Sequence, residues 1–188
     1  MTYLLDTMIV SFFFQAGRAS DLSLVAKAVS LAVVDEVRVE LRRDSARGGP
    51  TFDTWLAESK VGVRPITVGS PAAMTLLALQ PAIASTRGVG ERASIALAVS
   101  DPSLTLVTHD KGALWIGLRE LWTPGERIVG LASFLRRMVD CGALTDPNAV
   151  DDVVSVAGAQ IPTWWASWRS ALSAQGVLGP GPDPLPSS

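Results

Sequence analysis

Short apolar runs alternate with amphipathic stretches along most of the chain. Tyr3-Leu4-Leu5 is such a run, and Asp6-Thr7 stops it at once. A run that is apolar on both sides and ends abruptly reads as a central parallel strand. Met8 to Phe14 opens a helix of apolar character. Ala19 to Ser30 is a second helix, with Leu22, Val25, Ala26 and Val29 on one face. Leu31 to Val34 is the next buried strand. Asp35 to Arg47 is an amphipathic helix that Asp35 can cap, with Val37 and Leu41 inward, Glu36 and Glu40 one turn apart, and Arg38, Arg42, Arg43 and Arg47 on the opposite flank. Gly48-Gly49-Pro50 ends it. Thr51 to Ser59 is a short helix, and Val61 to Val68 alternates as a third strand.

Ser70 caps a helix running to about Ser85. Gly88 and Gly90 then break the chain, and Glu91 opens the next helix. Leu104 to Thr108 is the fourth strand and stops on His109-Asp110. Helices follow at Lys111 to Leu121, Ala132 to Cys141 and Asp146 to Ala159, with Ile128 to Gly130 as a short fifth strand. Strands that alternate with helices predict an α/β fold: three layers, α/β/α, around a central, mostly parallel five-stranded sheet. The expected organisation is a domain over 1–140, a helical extension over 141–175 and a disordered Gly/Pro/Ser-rich tail over 176–188.

Composition changes this picture in three ways. Hydrophobic residues make up 48% of the 188 and charged residues 18%, which fits a sheet covered on both faces. No apolar run reaches the roughly 18 to 20 residues of a membrane helix, so no membrane association is expected. Met8 to Phe14 has the apolarity of a signal peptide, but no Lys or Arg precedes it, and it reads as core. Cys141 is the only cysteine, which excludes an internal disulfide and fits a reducing, cytoplasmic setting. The net charge of −2 gives no general attraction for nucleic acid, so a nucleic-acid enzyme built on this chain needs a local basic patch and bound cations.

The candidate chemistry lies in carboxylates. In parallel α/β sheets, sites form at the carboxyl ends of strands. Asp6 and Asp110 each follow a predicted strand directly. Glu40 lies in the helix after the second strand, and Glu91 in the first turn of the helix leading to the fourth. Each like-charge pair at about 4 Å costs roughly 4 kcal/mol at an effective dielectric of 20, a cost that a divalent cation removes. An all-oxygen donor set suits Mg²⁺ or Mn²⁺ rather than Zn²⁺. Such ions activate water and stabilise charge on a phosphate under in-line attack. Thr7 and Thr108 stand beside the acids as hydrogen-bonding support.

Four stretches together resemble the motifs of the PIN-domain nucleases, the group that includes the VapC-type toxins. They are Leu4-Leu5-Asp6-Thr7, Val34 to Leu41, Gly90 to Ala98, and Leu106-Val107-Thr108-His109-Asp110-Lys111. The resemblance covers roughly residues 2 to 140 and selects Glu40 over Glu36 as the second acid. It implies metal-dependent cleavage of RNA with Asp6, Glu40, Glu91 and Asp110 as catalytic and metal-binding residues. It also implies membership of a type II toxin–antitoxin system, an antitoxin partner and a homodimer. Two departures stand out: the chain runs well past the usual core, and Arg92 follows Glu91 directly.

Plainer readings exist for each residue. Asp6 and Asp110 are good helix caps, Glu91 suits the positive end of a helix dipole, and Glu36 and Glu40 suit a solvated helix face. His109, the single histidine, invites a general-base role but also reads as an ordinary loop residue. The Arg38, Arg42 and Arg43 flank is either a nucleic-acid-binding surface or a solvated face with ion pairs. Trp164, Trp165 and Trp168 read as a base-stacking platform or as aromatics packed on the core. The competing function is therefore a catalytically inactive module that binds RNA or protein through this Trp-rich region. A phosphatase with an aspartyl nucleophile at Asp6 is disfavoured, because the second acid it needs two residues on is replaced by Met8.

Overall fold

The computed structural model describes residues 1–43, 49–79, 88–121, 127–160 and 162–174. Its strands are β1 (Thr2–Leu5), β2 (Ser30–Val34), β3 (Gly62–Arg64), β4 (Leu104–Val107) and β5 (Ile128–Val129). Its helices are α1 (Thr7–Gln15), α2 (Ala19–Ala28), α3 (Asp35–Arg43), α4 (Gly49–Glu58), α5 (Pro71–Ala78), α6 (Val89–Ser100), α7 (Lys111–Leu121), α8 (Leu131–Asp140), α9 (Pro147–Val156) and α10 (Thr163–Ala174). The strands form one all-parallel sheet in the order β3-β2-β1-β4-β5, flanked by helices in a three-layer α/β/α arrangement.

Burial explains the pattern in the sequence. β4 and β5 are buried at every position, and β1 and β2 at all but their first, because helices cover both faces of a parallel sheet. β3 lies at the edge and is only partly covered, so it alternates instead. It is also shorter than the Val61 to Val68 run predicts. Pro65 follows Arg64 and has no N–H to extend the ladder. α6 starts at Val89 rather than Glu91, so Glu91 stands at its third position. The predicted helix ends beyond Arg43 and Leu79, and the predicted tail, fall outside the described residues.

The extension after residue 140 shares the core of the rest. Ala143, Leu144, Ala149, Val150, Val153, Val154 and Trp165 belong to the same buried cluster as Leu4, Leu106 and Phe134. Arg18 ties α9 back to the start of α2, bonding Asp146 at 2.8 Å and Asp152 at 2.7 Å. The Trp165 indole N–H donates to Asp151 at 2.5 Å, and Arg169 pairs with the same carboxylate. Trp165 is 1% exposed and stacks 4.6 Å from Trp168, while the Arg136 guanidinium lies over Trp164. Trp165 thus packs in the core, with Trp164 and Trp168 partly buried against it. Among the described residues, no helix is long and apolar enough to cross a membrane.

Candidate functional site

The strand order fixes where a site can form. From β1 the chain moves outward through β2 and β3, then returns to place β4 on the other side of β1. The crevice at such a switch point, beyond the carboxyl ends of the strands, is where open α/β sheets bind ligands. Here the switch lies between β1 and β4. Leu5 is in register with Val107, and the Asp6 N–H donates to the Val107 carbonyl at 3.1 Å. Asp6 and Asp110 therefore both stand beyond the carboxyl ends of the adjacent strands β1 and β4, as their places after the strands predict.

Asp6 is fully buried. One carboxylate oxygen, Oδ1, accepts the Ile9 N–H at 2.8 Å and caps α1. The other, Oδ2, has no well-formed hydrogen bond from any described residue, and Thr108 is the side chain that favours the carboxylate's charge. Capping and site chemistry are thus not alternatives for this residue, because each claims a different oxygen. Burial pushes the carboxyl up to about 7. The Thr108 side chain and the Ile9 N–H pull it down, and the charges of Glu91 and Asp110 push it up further. Asp110 also caps a helix: its Oδ1 accepts the Ala113 N–H at 2.8 Å at the start of α7, while its own N–H donates to Thr108 Oγ1 at 3.2 Å.

Glu40 is held differently. Its Oε2 accepts the Thr7 hydroxyl at 2.5 Å and its Oε1 accepts the Gly90 N–H at 3.0 Å. It bridges the residue after Asp6 to the residue before Glu91. Gly90 makes this bridge feasible, since a Cβ there would sit 2.8 Å from Glu40 Oε2, 2.8 Å from Thr7 Oγ1 and 2.9 Å from a Val37 methyl. The Glu91 carboxylate folds back over Gly88, which is left-handed at φ 65° and leaves space for it. Glu40 also lines a groove of about 340 Å³ with Asp35, Glu36, Val39, Arg43 and Val89. Glu36 therefore faces the groove, while Glu40 joins groove and crevice. Glu36 Oε2 is buried there and finds no hydrogen-bond partner among the described residues.

The arginine flank is largely engaged. Arg38 reaches Asp35 at 3.5 Å and Asp53 at 3.3 Å, and Arg42 reaches Asp53 at 2.6 Å, so two of the three fasten α3 to α4. Arg43 alone of the three lines the groove. His109 packs edge-on against Phe12, with ring centroids 5.4 Å apart.

Whether these acids suit a divalent ion turns on their free oxygens. Among the described residues, no three Asp, Glu, His or Cys side chains stand together closely enough to hold an ion unaided. Mg²⁺ does not require that, because it keeps several waters and is bound through one or two carboxylates plus substrate phosphate. The buried, partnerless Asp6 Oδ2 beside the charges of Asp110 and Glu91 is a donor of that kind. One further residue, Gly90, touches Glu40 and was not anticipated. A glycine directly before an acid in a helix's first turn was the visible sign of Gly90. Ser94, one turn after Gly90, is fully buried and its hydroxyl finds no partner among the described residues.

Comparison with protein-family models, with curated proteins and with solved structures gives no match. The geometry of the crevice is therefore the ground on which function rests.

Proposed function

We propose that the chain is a metal-dependent endoribonuclease that hydrolyses phosphodiester bonds at the crevice between β1 and β4, as its resemblance to PIN-domain nucleases implies. The observation that supports this most is the Asp6 carboxylate. A buried acid with one partnerless oxygen and two carboxylates adding to its field is costly to keep, and sites are where such costs recur. Asp6, Asp110 and Glu91 would hold Mg²⁺ or Mn²⁺, which supplies an activated water and charge stabilisation at phosphate. Thr108 accepts the Asp110 backbone N–H and partly offsets the burial that raises the Asp6 carboxyl. Glu40 and Thr7 set the spacing between the elements that carry Asp6 and Glu91. Toxin–antitoxin membership, an antitoxin partner, a homodimer and a cytoplasmic setting belong to this proposal through the same resemblance.

One observation favours the inactive binding module: Glu40 is fully engaged in hydrogen bonds, as a structural residue would be. Thermal melts with and without Mn²⁺, read beside cleavage of single-stranded RNA, separate the two. The nuclease should melt higher with Mn²⁺ and cut RNA, and Asp110→Asn should lose both effects. A wild-type protein that neither shifts nor cuts leaves the binding module standing.

A further inference from the structure

The outer face of α7 carries a pattern that neither the fold nor the crevice uses. Lys111, Trp115 and Arg119 recur every four residues, so they line one stripe of the helix. Lys111 is exposed, Trp115 is 75% exposed and the Arg119 side chain is 70% exposed. The opposite face, with Ala113 and Leu121, is buried. Gly117 fixes that rotation, because a built Cβ there would already meet the Ile128 side chain at 2.4 Å. The helix therefore lies tight against β5 with Trp115 turned outward. Trp55, Trp164, Trp165 and Trp168 all pack on the core, so this exposure departs from the way the chain treats its other described tryptophans.

The stripe starts at the crevice. Lys111 follows Asp110, and the Asp110 carboxylate caps the helix. Trp115 lies about 6 Å further along the axis and Arg119 about 12 Å, at 1.5 Å per residue. An acidic crevice repels a polyanion, so a strand that enters it needs cations beside the acids. Lys111 and Arg119 supply them, and Trp115 between them offers an aromatic face to a base. The Arg119 pair with Glu120, at 2.7 Å, is solvent-exposed and weak enough to yield to a phosphate.

We propose that this stripe is the track for single-stranded RNA entering the crevice, with Trp115 stacking on a base and Lys111 and Arg119 holding phosphates on either side. The inference rests on the nuclease reading for its choice of ligand. The test is fluorescence anisotropy of a labelled, unstructured 12-nucleotide RNA in EDTA, where no cleavage occurs. Trp115→Ala should weaken binding about five-fold to over a hundred-fold, the range that base–aromatic stacking provides, and Trp115→Phe should retain most of it. Lys111→Ala should lower the slope of log K against log salt by about 0.7. Equal affinity of wild type and Trp115→Ala, or no binding by wild type, overturns the track. So does sedimentation showing that Trp115→Ala breaks a dimer, since the tryptophan would then serve a second copy. A wild type that binds RNA through Trp115 in EDTA but never cleaves it with Mn²⁺ removes the nuclease reading and leaves the track intact.

Discussion

Asp6→Asn is expected to stabilise the metal-free protein at pH 8 while removing the proposed nuclease activity. In the folded protein this carboxyl is held up to about 7, against an ordinary value of 3.8. Between those two values the native state keeps a proton that the unfolded state has released. The unfolded state then binds fewer protons, so stability falls as pH rises through this window. Roughly three pH units at about 1.4 kcal/mol each make the full loss about 4 kcal/mol. Asn cannot ionise and escapes that loss, and its carbonyl can still accept the Ile9 N–H. Its amide N–H₂ takes the place of the partnerless Oδ2 and costs about 1–3 kcal/mol as an unsatisfied buried donor. The net gain above pH 7 is therefore about 1–3 kcal/mol, or about 2 to 12 °C in melting temperature for a chain of this size. Urea unfolding in EDTA at half-unit steps from pH 5 to 8 reads the effect. Wild type should lose stability toward pH 8 relative to Asp6→Asn, and the difference curve should bend near 7. Parallel curves for the two proteins would refute the claim that Asp6 pays for its burial.

Gly90→Ala should cost about 1–3 kcal/mol, the range for overpacking, because its methyl meets Glu40, Thr7 and Val37 at once. In a Glu40→Ala background that penalty should shrink, and a double-mutant cycle from urea melts measures the difference. Trp165→Ala should cost about 3–5 kcal/mol in the same global transition if α10 is continuous with the core. A separate early transition, with the main one unchanged, would make the last helix an appendage instead.

The topology was legible because burial on both faces writes itself plainly into a sequence. Tyr3 to Leu5, Leu31 to Val34 and Leu104 to Val107 carry no charged residue, and the buried Thr105 does not break the apolar run. The strand carboxyl ends, and hence Asp6 and Asp110, followed directly. Side-chain pairing was far less legible. Nothing in the spacing of Arg38 and Arg42 says that Asp53 will claim both, because that depends on how α4 is laid across α3. The split use of the Asp6 oxygens was also hidden, since a residue type does not say which of its atoms will be occupied. Trp115 escaped notice because a lone tryptophan in an apolar helix reads as core until the helix rotation is known, and Gly117 sets that rotation through a strand eleven residues later.

The sheet order has a consequence in time. β1 leaves the ribosome before the other four strands, yet it ends as the central strand, and one of its two neighbours is β4, with more than half the given chain between them. At about 5–20 residues per second, the first strand waits several seconds with one edge open. β2 and β3 can join during that interval, but the crevice needs β4, and with it Asp110. A nascent or truncated chain that ends before β4 therefore carries Asp6 and Glu40 without any cleft for them to act in. The chain cannot assemble its acidic site piecemeal, and the site closes only when the late strand docks beside the earliest one.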